Sequence, residues 1–294
     1  MQDAPMVTFT ILCHNYGRFL RRAVESCLIQ KAPGVRTEVL VLDDGSTDET
    51  PMICAKYKER IRVSKSENLG FGATLTRAVQ EARGEWVFFL DADDYFAPSK
   101  LVAFLPHFRP GILFVSDLPR SVDQTGRHLS DVVLESGSTS TLAVYRKSAL
   151  DLLPVENELY FHVLGRPGKK GVVGEAHTFY RIHNANMTNK HSPGVWNGYL
   201  ASITHRLADR LEAMSVNPPS WLGTAQETRF LSWHYRERAW YNELEAALEC
   251  RLWGRAWGRW IRMATAAKRS SNGLGKFHWT MLAKVALLRP SFPK

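Results

Sequence analysis

Asp91, Asp93 and Asp94 fall within four residues, directly after the apolar run Trp86 to Leu90 (WVFFL). Carboxylates are hard oxygen ligands, and a pair separated by one residue can hold Mg²⁺ or Mn²⁺ while the ion bridges two phosphate oxygens. An ion held there would stabilise the charge that develops on a departing diphosphate. Acidic pairs of this spacing are common in caps and turns, so the strand-like run before this one gives it chemical meaning. Two other polar clusters close apolar runs in the same way. Cys13, His14 and Asn15 end the run that begins at Met6 (MVTFTILC), and Asp43-Asp44-Gly45-Ser46 ends Glu38 to Leu42 (EVLVL). Asp-Gly-Ser also favours a turn on its own account.

The elements between these clusters alternate. Met6 to Cys13 and Glu38 to Leu42 lack strict apolar/polar alternation, as strands buried on both faces do. Between them, Phe19, Leu20, Ala23, Val24, Cys27 and Leu28 recur at helical spacing over Tyr16 to Gln30. Thr50 to Arg60 reads as a helix with Pro51 in its first turn. Arg62 to Ser64 reads as a short strand, and Phe71 to Ala82 as a helix stopped by Gly84. This order predicts right-handed βαβ units and a mostly parallel sheet, whose ligands bind beyond the carboxyl ends of the strands. All three polar clusters lie at such ends. Further on, Leu113 to Ser116 and Ala176 to Ile182 read as strands, Glu158 to Leu164 as a helix, and 119–130 and 166–174 as loops. After Pro193 the pattern is helical, broken at Asn217-Pro218-Pro219.

At 45% hydrophobic and 23% charged, the 294 residues have the composition of an ordinary globular protein. Cys13, Cys27, Cys54 and Cys250 form no Cys-x-x-Cys pair. That argues against a zinc ribbon or disulfide framework and fits a reducing compartment. The sequence has neither a signal-like start nor an apolar run of about 18 residues, so the expectation is a cytoplasmic protein that does not cross a membrane. Charge is uneven: residues 1–188 carry 22 basic and 22 acidic side chains, and residues 189–294 carry the whole net charge of +9. Beyond Glu249 there are ten basic residues and no acid.

TILCHNYGRFLRRAVESCLIQ, EVLVLDDGSTDET, ENLGFGATLTRAVQEARGEWVFFLDADD and FYRIHNANMT, in this order, resemble segments of the family 2 inverting glycosyltransferases. The likeness runs from residue 7 to about 188. It implies the GT-A form of the α/β fold over 1–188, a Rossmann-like, mostly parallel sheet flanked by helices. Residues 189–294 would be a basic, mainly helical extension. The resemblance further implies sugar transfer from a nucleotide-sugar donor to a glycan or lipid-linked acceptor, with Mn²⁺ or Mg²⁺, in cell-surface polysaccharide or glycoconjugate synthesis. It puts Cys13, His14 and Asn15 beside the base and ribose, Asp43 or Asp44 on the base, and the segment holding Asn68 and Gly70 on the donor. Asp91 would meet ribose or metal, Asp93 would be the main metal ligand, and His183 in Tyr-Arg-Ile-His would approach metal or diphosphate. One departure is plain. Many relatives carry Ala-Arg-Asn where this chain has Thr74-Leu75-Thr76 followed by Arg77, which reads as a solvated helix residue.

Inverting transfer needs a carboxylate to take the acceptor hydroxyl's proton. Relatives carry it in a Glu-Asp pair at a helix start. Keeping the later apolar residues in step puts Glu156 in the aspartate's place, with Glu158 second. A gapless count back from Tyr180 puts Asn157 there, which could not act as a base. A second reading therefore stands beside the first: a non-catalytic GT-A module that binds nucleotide sugar or glycan.

In the basic tail, Leu252, Trp253, Ala256, Trp257, Trp260, Ile261 and Ala264 form a helical stripe opposed to Arg251, Arg255, Arg259 and Arg262. Phe277 to Leu288 is apolar, with Lys276, Lys284 and Arg289 around it. Such a stripe either packs on the protein or lies in an anionic membrane interface. The uncompensated charge favours the interface, hence a peripheral contact through 251–294 with the inner face of the cell membrane. No nucleic-acid module accompanies the charge, so no nucleic-acid partner is expected.

Overall fold

A computed structural model of the chain describes residues 6–129, 138–184, 186, 194–252, 254–256 and 258–262. They belong to two compact units, divided between His183 and Asn184.

The first unit opens with the expected alternation: β1 (Met6–Cys13), α1 (Gly17–Leu28), β2 (Arg36–Asp44), α2 (Thr50–Lys56), β3 (Arg62–Ser66), α3 (Phe71–Glu81) and β4 (Trp86–Asp91). Then come β5 (Tyr95–Phe96), α4 (Lys100–Phe104), β6 (Phe114–Ser116), β7 (Pro119–Asp123), β8 (Leu142–Tyr145), α5 (Arg146–Leu150), α6 (Leu159–His162), β9 (Lys170–Val172) and β10 (Thr178–Ile182). Seven strands form one sheet in the order β3-β2-β1-β4-β8-β6-β9. Only β8 runs against its neighbours. A second sheet has the order β5-β10-β7.

Successive strands add on one side of β1 as far as β3, and β4 then returns to the other side. This is the topological switch of a doubly wound sheet, where a crevice opens at the strand ends. The register fixes the level of that crevice, with Cys13 opposite Asp43 and Leu12 opposite Asp91. The central strands are apolar throughout because both their faces are covered. Phe9, Ile11, Val41, Phe88 and Leu90 are buried with Leu20, Val24 and Cys27 of α1, while Phe89, one residue out of phase, stacks on Phe161 of α6 at 4.9 Å.

Two segments expected as loops contain strands. β7 lies within 119–130 and β9 within 166–174. Both are edge strands of three to five residues, too short and too polar to show a period. Pro119, which lacks an N–H, begins β7, as an edge position permits.

The second unit contains α7 (Val195–Met214) and α8 (Ala225–Glu249), the latter begun by a Thr224–Glu227 capping box. The break between them includes the expected Asn217-Pro218-Pro219. Residues 254–256 and 258–262 are helical, and Ala256 and Trp260 pack on Leu244, Ala247 and Leu248 of α8. Arg259 pairs with Glu243. Part of the aromatic stripe is therefore core of this unit, and one of its arginines is neutralised. Trp253, Trp257, Ala264 and 277–288 lie outside the described residues. Among the described residues no helix is long and apolar enough to cross a membrane.

A buried ion pair joins the two sheets of the first unit. Lys100 Nζ, on α4, donates to Asp117 Oδ1 at 2.8 Å and to Thr178 Oγ1 of β10 at 2.7 Å. Asp117, between β6 and β7, also accepts from the His177 amide at 2.8 Å. Burial pushes the lysine down to about 8, while the partner carboxylate pulls the other way. Breaking one half of such a pair strands the other charge. Lys100→Ala should lower unfolding stability by about 3–5 kcal/mol in urea titrations, and a Lys100→Met/Asp117→Leu double variant should recover most of that loss.

Candidate active site

The end of β4 gathers acids, and the fold gives each a different task. Asp94 turns inward: Oδ1 accepts from the Arg181 amide at 2.8 Å and Oδ2 from Ser140 Oγ at 2.6 Å. Ser140 Oγ also accepts from the Asp91 amide at 3.0 Å. Arg181 Nε donates to the Asp93 carbonyl at 2.6 Å. These bonds fix β10 against the end of β4, and two residues later His183 Nε2 stands 3.0 Å from Asp93 Oδ2. The ring of Phe19, on α1, lies 4.9 Å from that of His183, and the Tyr16 ring 5.8 Å.

Burial first, then Asp93, raises the Asp91 and Asp94 carboxyls well above the usual range. Glu158 adds to the effect at Asp91, and Asp91 adds to it at Asp94. Burial, followed by the charges of Asp93 and Asp91, pushes the Tyr16 hydroxyl up to about 12. A divalent cation would relieve this crowding. Among the described residues no group of three His, Cys, Asp or Glu side chains could enclose a metal ion. Asp93 and His183, hydrogen-bonded to each other at 3.0 Å, offer one oxygen and one nitrogen that could serve as ligands to such an ion. Ions of this kind take their remaining ligands from phosphate and water. The residues thus fit a diphosphate-bound ion better than a closed all-protein site.

At the ends of β1 and β2 the two aspartates differ. Asp44 receives the Ser66 hydroxyl at 3.0 Å and the Leu69 and Gly70 amides at 2.9 Å each, so its carboxylate ties the Asn68–Gly70 loop to β2. Asp43 Oδ1 accepts from the Ser46 amide at 2.9 Å, which leaves its second oxygen without a protein donor among the described residues. Gly45, at φ +76°, allows the turn to approach the Asn68 amide so closely that a Cβ would collide with it.

His14 links the loops. Its Nδ1 lies 2.7 Å from the Asp44 carbonyl, which can only accept, so Nδ1 carries the proton. Nε2 is then the acceptor facing the side-chain amides of Asn15 at 3.1 Å and Asn68 at 3.3 Å. Asn15 adopts φ +58°, a conformation asparagine tolerates, and accepts from the Thr47 amide at 2.8 Å. Cys13 points inward: it is buried 3.6 Å from Thr50 Oγ1, and burial pushes its thiol up to about 12.

The two glutamates also separate. Glu156 Oε1 accepts from the Tyr160 hydroxyl at 3.2 Å, and its backbone crosses Gly72 of α3 so closely that a Cβ there would meet it at 2.7 Å. Glu158 precedes α6, and its buried Oε2 has no hydrogen-bond partner among the described residues. Burial pushes its carboxyl up to about 7. Leu75, in the place of the relatives' arginine, is fully buried. Arg77 is not solvated as expected, because Ser64, Ser66 and Glu81 bind its guanidinium at 2.5–3.1 Å. Sequence reasoning missed Ser140, which lies in a Ser/Thr run with no motif, and the positioning task of Arg181, which the Tyr-Arg-Ile-His motif could have suggested.

Asp44→Asn should lower stability by about 1–3 kcal/mol, because one of the loop amides it receives would face an NH₂ group. Asp43→Asn keeps an oxygen for Ser46 and should stay within about 0.5 kcal/mol of the parent. Thermal unfolding of the two variants checks the contrast.

The match to a family model falls within this unit. The family model described as glycosyl transferase family 2 matches residues 8–152. An uncharacterised glycosyltransferase of Nostoc sp. is 29% identical over 214 residues, 61% of this chain and 66% of the relative. The succinoglycan biosynthesis protein ExoO of Rhizobium meliloti is 38% identical over 103 residues, 34% of this chain and 29% of that protein. The chain thus spans less than two thirds of the length of these relatives. Among solved structures, S. aureus TarS 1–349 with UDP-GlcNAc superposes with a TM-score of 0.56 at 14% identity, covering 90% of this chain and 91% of that one. The mannosyltransferase PcManGT of Pyrobaculum calidifontis, with GDP-Man and Mn²⁺, gives 0.53 at 16% identity, covering 96% and 84%. Glu156, Glu158 and His183 lie beyond the matched segment. Residues 8–152 thus match the glycosyl transferase family 2 model, and the sheet has the GT-A fold of these solved glycosyltransferases.

Proposed function

We propose that the chain is a divalent-metal-dependent inverting glycosyltransferase that moves a sugar from a nucleotide-sugar donor to a glycan or lipid-linked acceptor. The observation that carries this reading is the meeting of Asp93 and His183 at 3.0 Å, among crowded carboxyls at the sheet's switch point. The UDP-GlcNAc and GDP-Man complexes of the structural neighbours support the donor class, and the Mn²⁺ in one of them supports the metal. The succinoglycan relative supports a role in cell-surface polysaccharide synthesis.

Asp93 and His183 would hold Mn²⁺ or Mg²⁺, which when bound offsets charge on the departing nucleoside diphosphate. Asp43 offers its open oxygen to an N–H of the base, while Asp44 keeps Asn68 and Gly70 in place. His14 and Asn15 line the nucleoside side, and Asp91 faces ribose or metal. We assign the base to Glu158 in preference to Glu156, since its Oε2 is unengaged and it lies close enough to Asp91 to raise that carboxyl. The acceptor oxygen bonds to the anomeric carbon as its proton passes to Glu158 Oε2. The bond from that carbon to the diphosphate oxygen breaks on the opposite face, which inverts the centre. A base titrating near 7 is matched to this task.

Residues 1–188 would form the catalytic domain. In the extension, Leu252, Ile261, Arg251, Arg255 and Arg262 are exposed and support a peripheral contact with anionic lipid at the cytoplasmic face. Flotation with vesicles containing phosphatidylglycerol should carry the chain upward, and failure to float would remove that contact.

A nucleotide-sugar panel with Mn²⁺ tests the transfer reaction. Asp93→Ala and EDTA should each abolish turnover, whereas Glu158→Gln should lower kcat about 10²–10⁴-fold and leave donor affinity near the parent's. Glu156→Gln should do far less. Protonated Glu158 cannot accept a proton, so kcat/KM should rise with pH to a plateau. Its midpoint should lie at or below about 7, because a bound cation favours the carboxylate. Full activity in Asp93→Ala would overturn the mechanism, and donor binding without turnover would favour the non-catalytic module.

A further inference from the structure

Four arginines surround an aromatic shelf beside Asp93 and His183. Arg18 and Arg22 stand one turn apart on α1, with the Arg18 guanidinium 4.5 Å from the centre of the Phe19 ring. Arg22 lies 3.6 Å over the Tyr95 ring and against Gly126. Arg181 shares both rings, at 4.6 Å from Phe19 and 5.5 Å from Tyr95. Tyr95 stacks on Phe179 at 4.6 Å, and Arg120 is the ladder partner of Phe179, which puts Arg120 on the same face of the small sheet.

Arg181 is offset by its neighbours Asp93 and Asp94, and burial, then Arg22, lowers its pKa. The other three have no such relief. Among the described residues no carboxylate pairs with Arg18, Arg22 or Arg120. The nearest acid on the adjoining hairpin, Asp123, is turned into its own loop, where Oδ1 accepts from the Thr125 and Arg127 amides. On α1, Glu25 is held by Arg21 and Tyr57. Arg181 spends Nε and Nη1 on the Asp93 and Gln124 carbonyls, whereas Arg18 and Arg22, over their rings, can turn N–H edges in the plane of the fork toward oxygens bidentately. A phosphate group matches that geometry and charge.

We propose that this shelf binds a phosphate group carried by the acceptor, a role that rests on the transferase reading. In that reading Asp93 and His183 hold the donor's diphosphate through a metal, which leaves Arg18, Arg22 and Arg120 to a second, metal-free anion. The Phe19 ring, in contact with both His183 and Arg18, puts that anion at the border of the donor site.

Broadening of the ³¹P resonance of inorganic phosphate by the full-length chain in EDTA tests the shelf without donor, metal or turnover. Arg18→Gln/Arg22→Gln should weaken binding about tenfold, the effect of losing one or two charge-assisted bonds. Arg21→Gln removes the same kind of charge from the other side of α1 and should change little. Equal losses in the two variants, or none in either, would overturn the proposal. So would loss of binding in Asp93→Ala, because the arginines would then belong to the donor's diphosphate site. Co-sedimentation with vesicles containing phosphatidic acid distinguishes the source. Retention that depends on Arg18 and Arg22 indicates a lipid-borne phosphate, and phosphate binding without it indicates a soluble one. Either result supports the shelf, and neither depends on whether the chain transfers sugar.

Discussion

Four carboxyl groups, those of Asp91, Asp93, Asp94 and Glu158, meet at the end of a buried strand where little water remains to screen them. Like charges in such a place repel strongly and resist ionisation. The surrounding structure manages this by giving them unequal partners. Asp94 is filled by an amide and a hydroxyl, Asp93 faces an imidazole, Asp91 is raised by burial and by its neighbours Asp93 and Glu158, and Glu158 is raised by burial. The position of β10, the register of the small sheet and the reach of Ser140 all follow from satisfying Asp94. The meeting of Asp93 and His183 is a consequence of that internal bond set.

The opposite side of the crevice is organised by neutral hydrogen bonds. A single imidazole, with its proton fixed on Nδ1 by a carbonyl, joins the ends of β1 and β2 to the loop before α3. Asp44 adds a charged acceptor to the same junction. Of the two adjacent aspartates, Asp44 is filled by a hydroxyl and two amides, while Asp43 receives a single amide among the described residues, so the pair divides into one tightly bound and one partly unengaged member. Adjacency in sequence concealed this, because neighbouring residues on a strand point to opposite sides.

The three polar strand ends were legible in the sequence because each is contiguous. A buried strand, a polar end and a following helix leave a local pattern, and the sheet topology carries three such ends to one level. The choice between Glu156 and Glu158 was not legible in this way. Glu156 keeps the apolar residues in step, yet its carboxylate is engaged by Tyr160, while the tight approach over Gly72 fixes the path of the segment and Glu158 comes near Asp91. That choice depends on how one loop crosses a helix from a distant part of the chain. Arg77 was misread for a similar reason: its partners Ser64 and Ser66 sit on a neighbouring strand. β7 and β9 escaped because a short edge strand is defined by its ladder and has no period of its own.

By itself, the sequence determined the central parallel sheet, the three polar strand ends and the Asp93-centred cluster. These depend on hydrophobic runs and turn residues close along the chain, where local propensity and burial act together. It also fixed the charge asymmetry, which is a matter of counting. The tertiary structure alone decided which carboxylates are spent on the fold and which face the crevice, and which aromatic residues of the tail are core. It also brought Arg18, Arg22, Arg120 and Arg181 to one shelf. Those outcomes depend on desolvation and hydrogen-bond partners brought together from segments as much as 163 residues apart, between Arg18 and Arg181, and no local pattern encodes them.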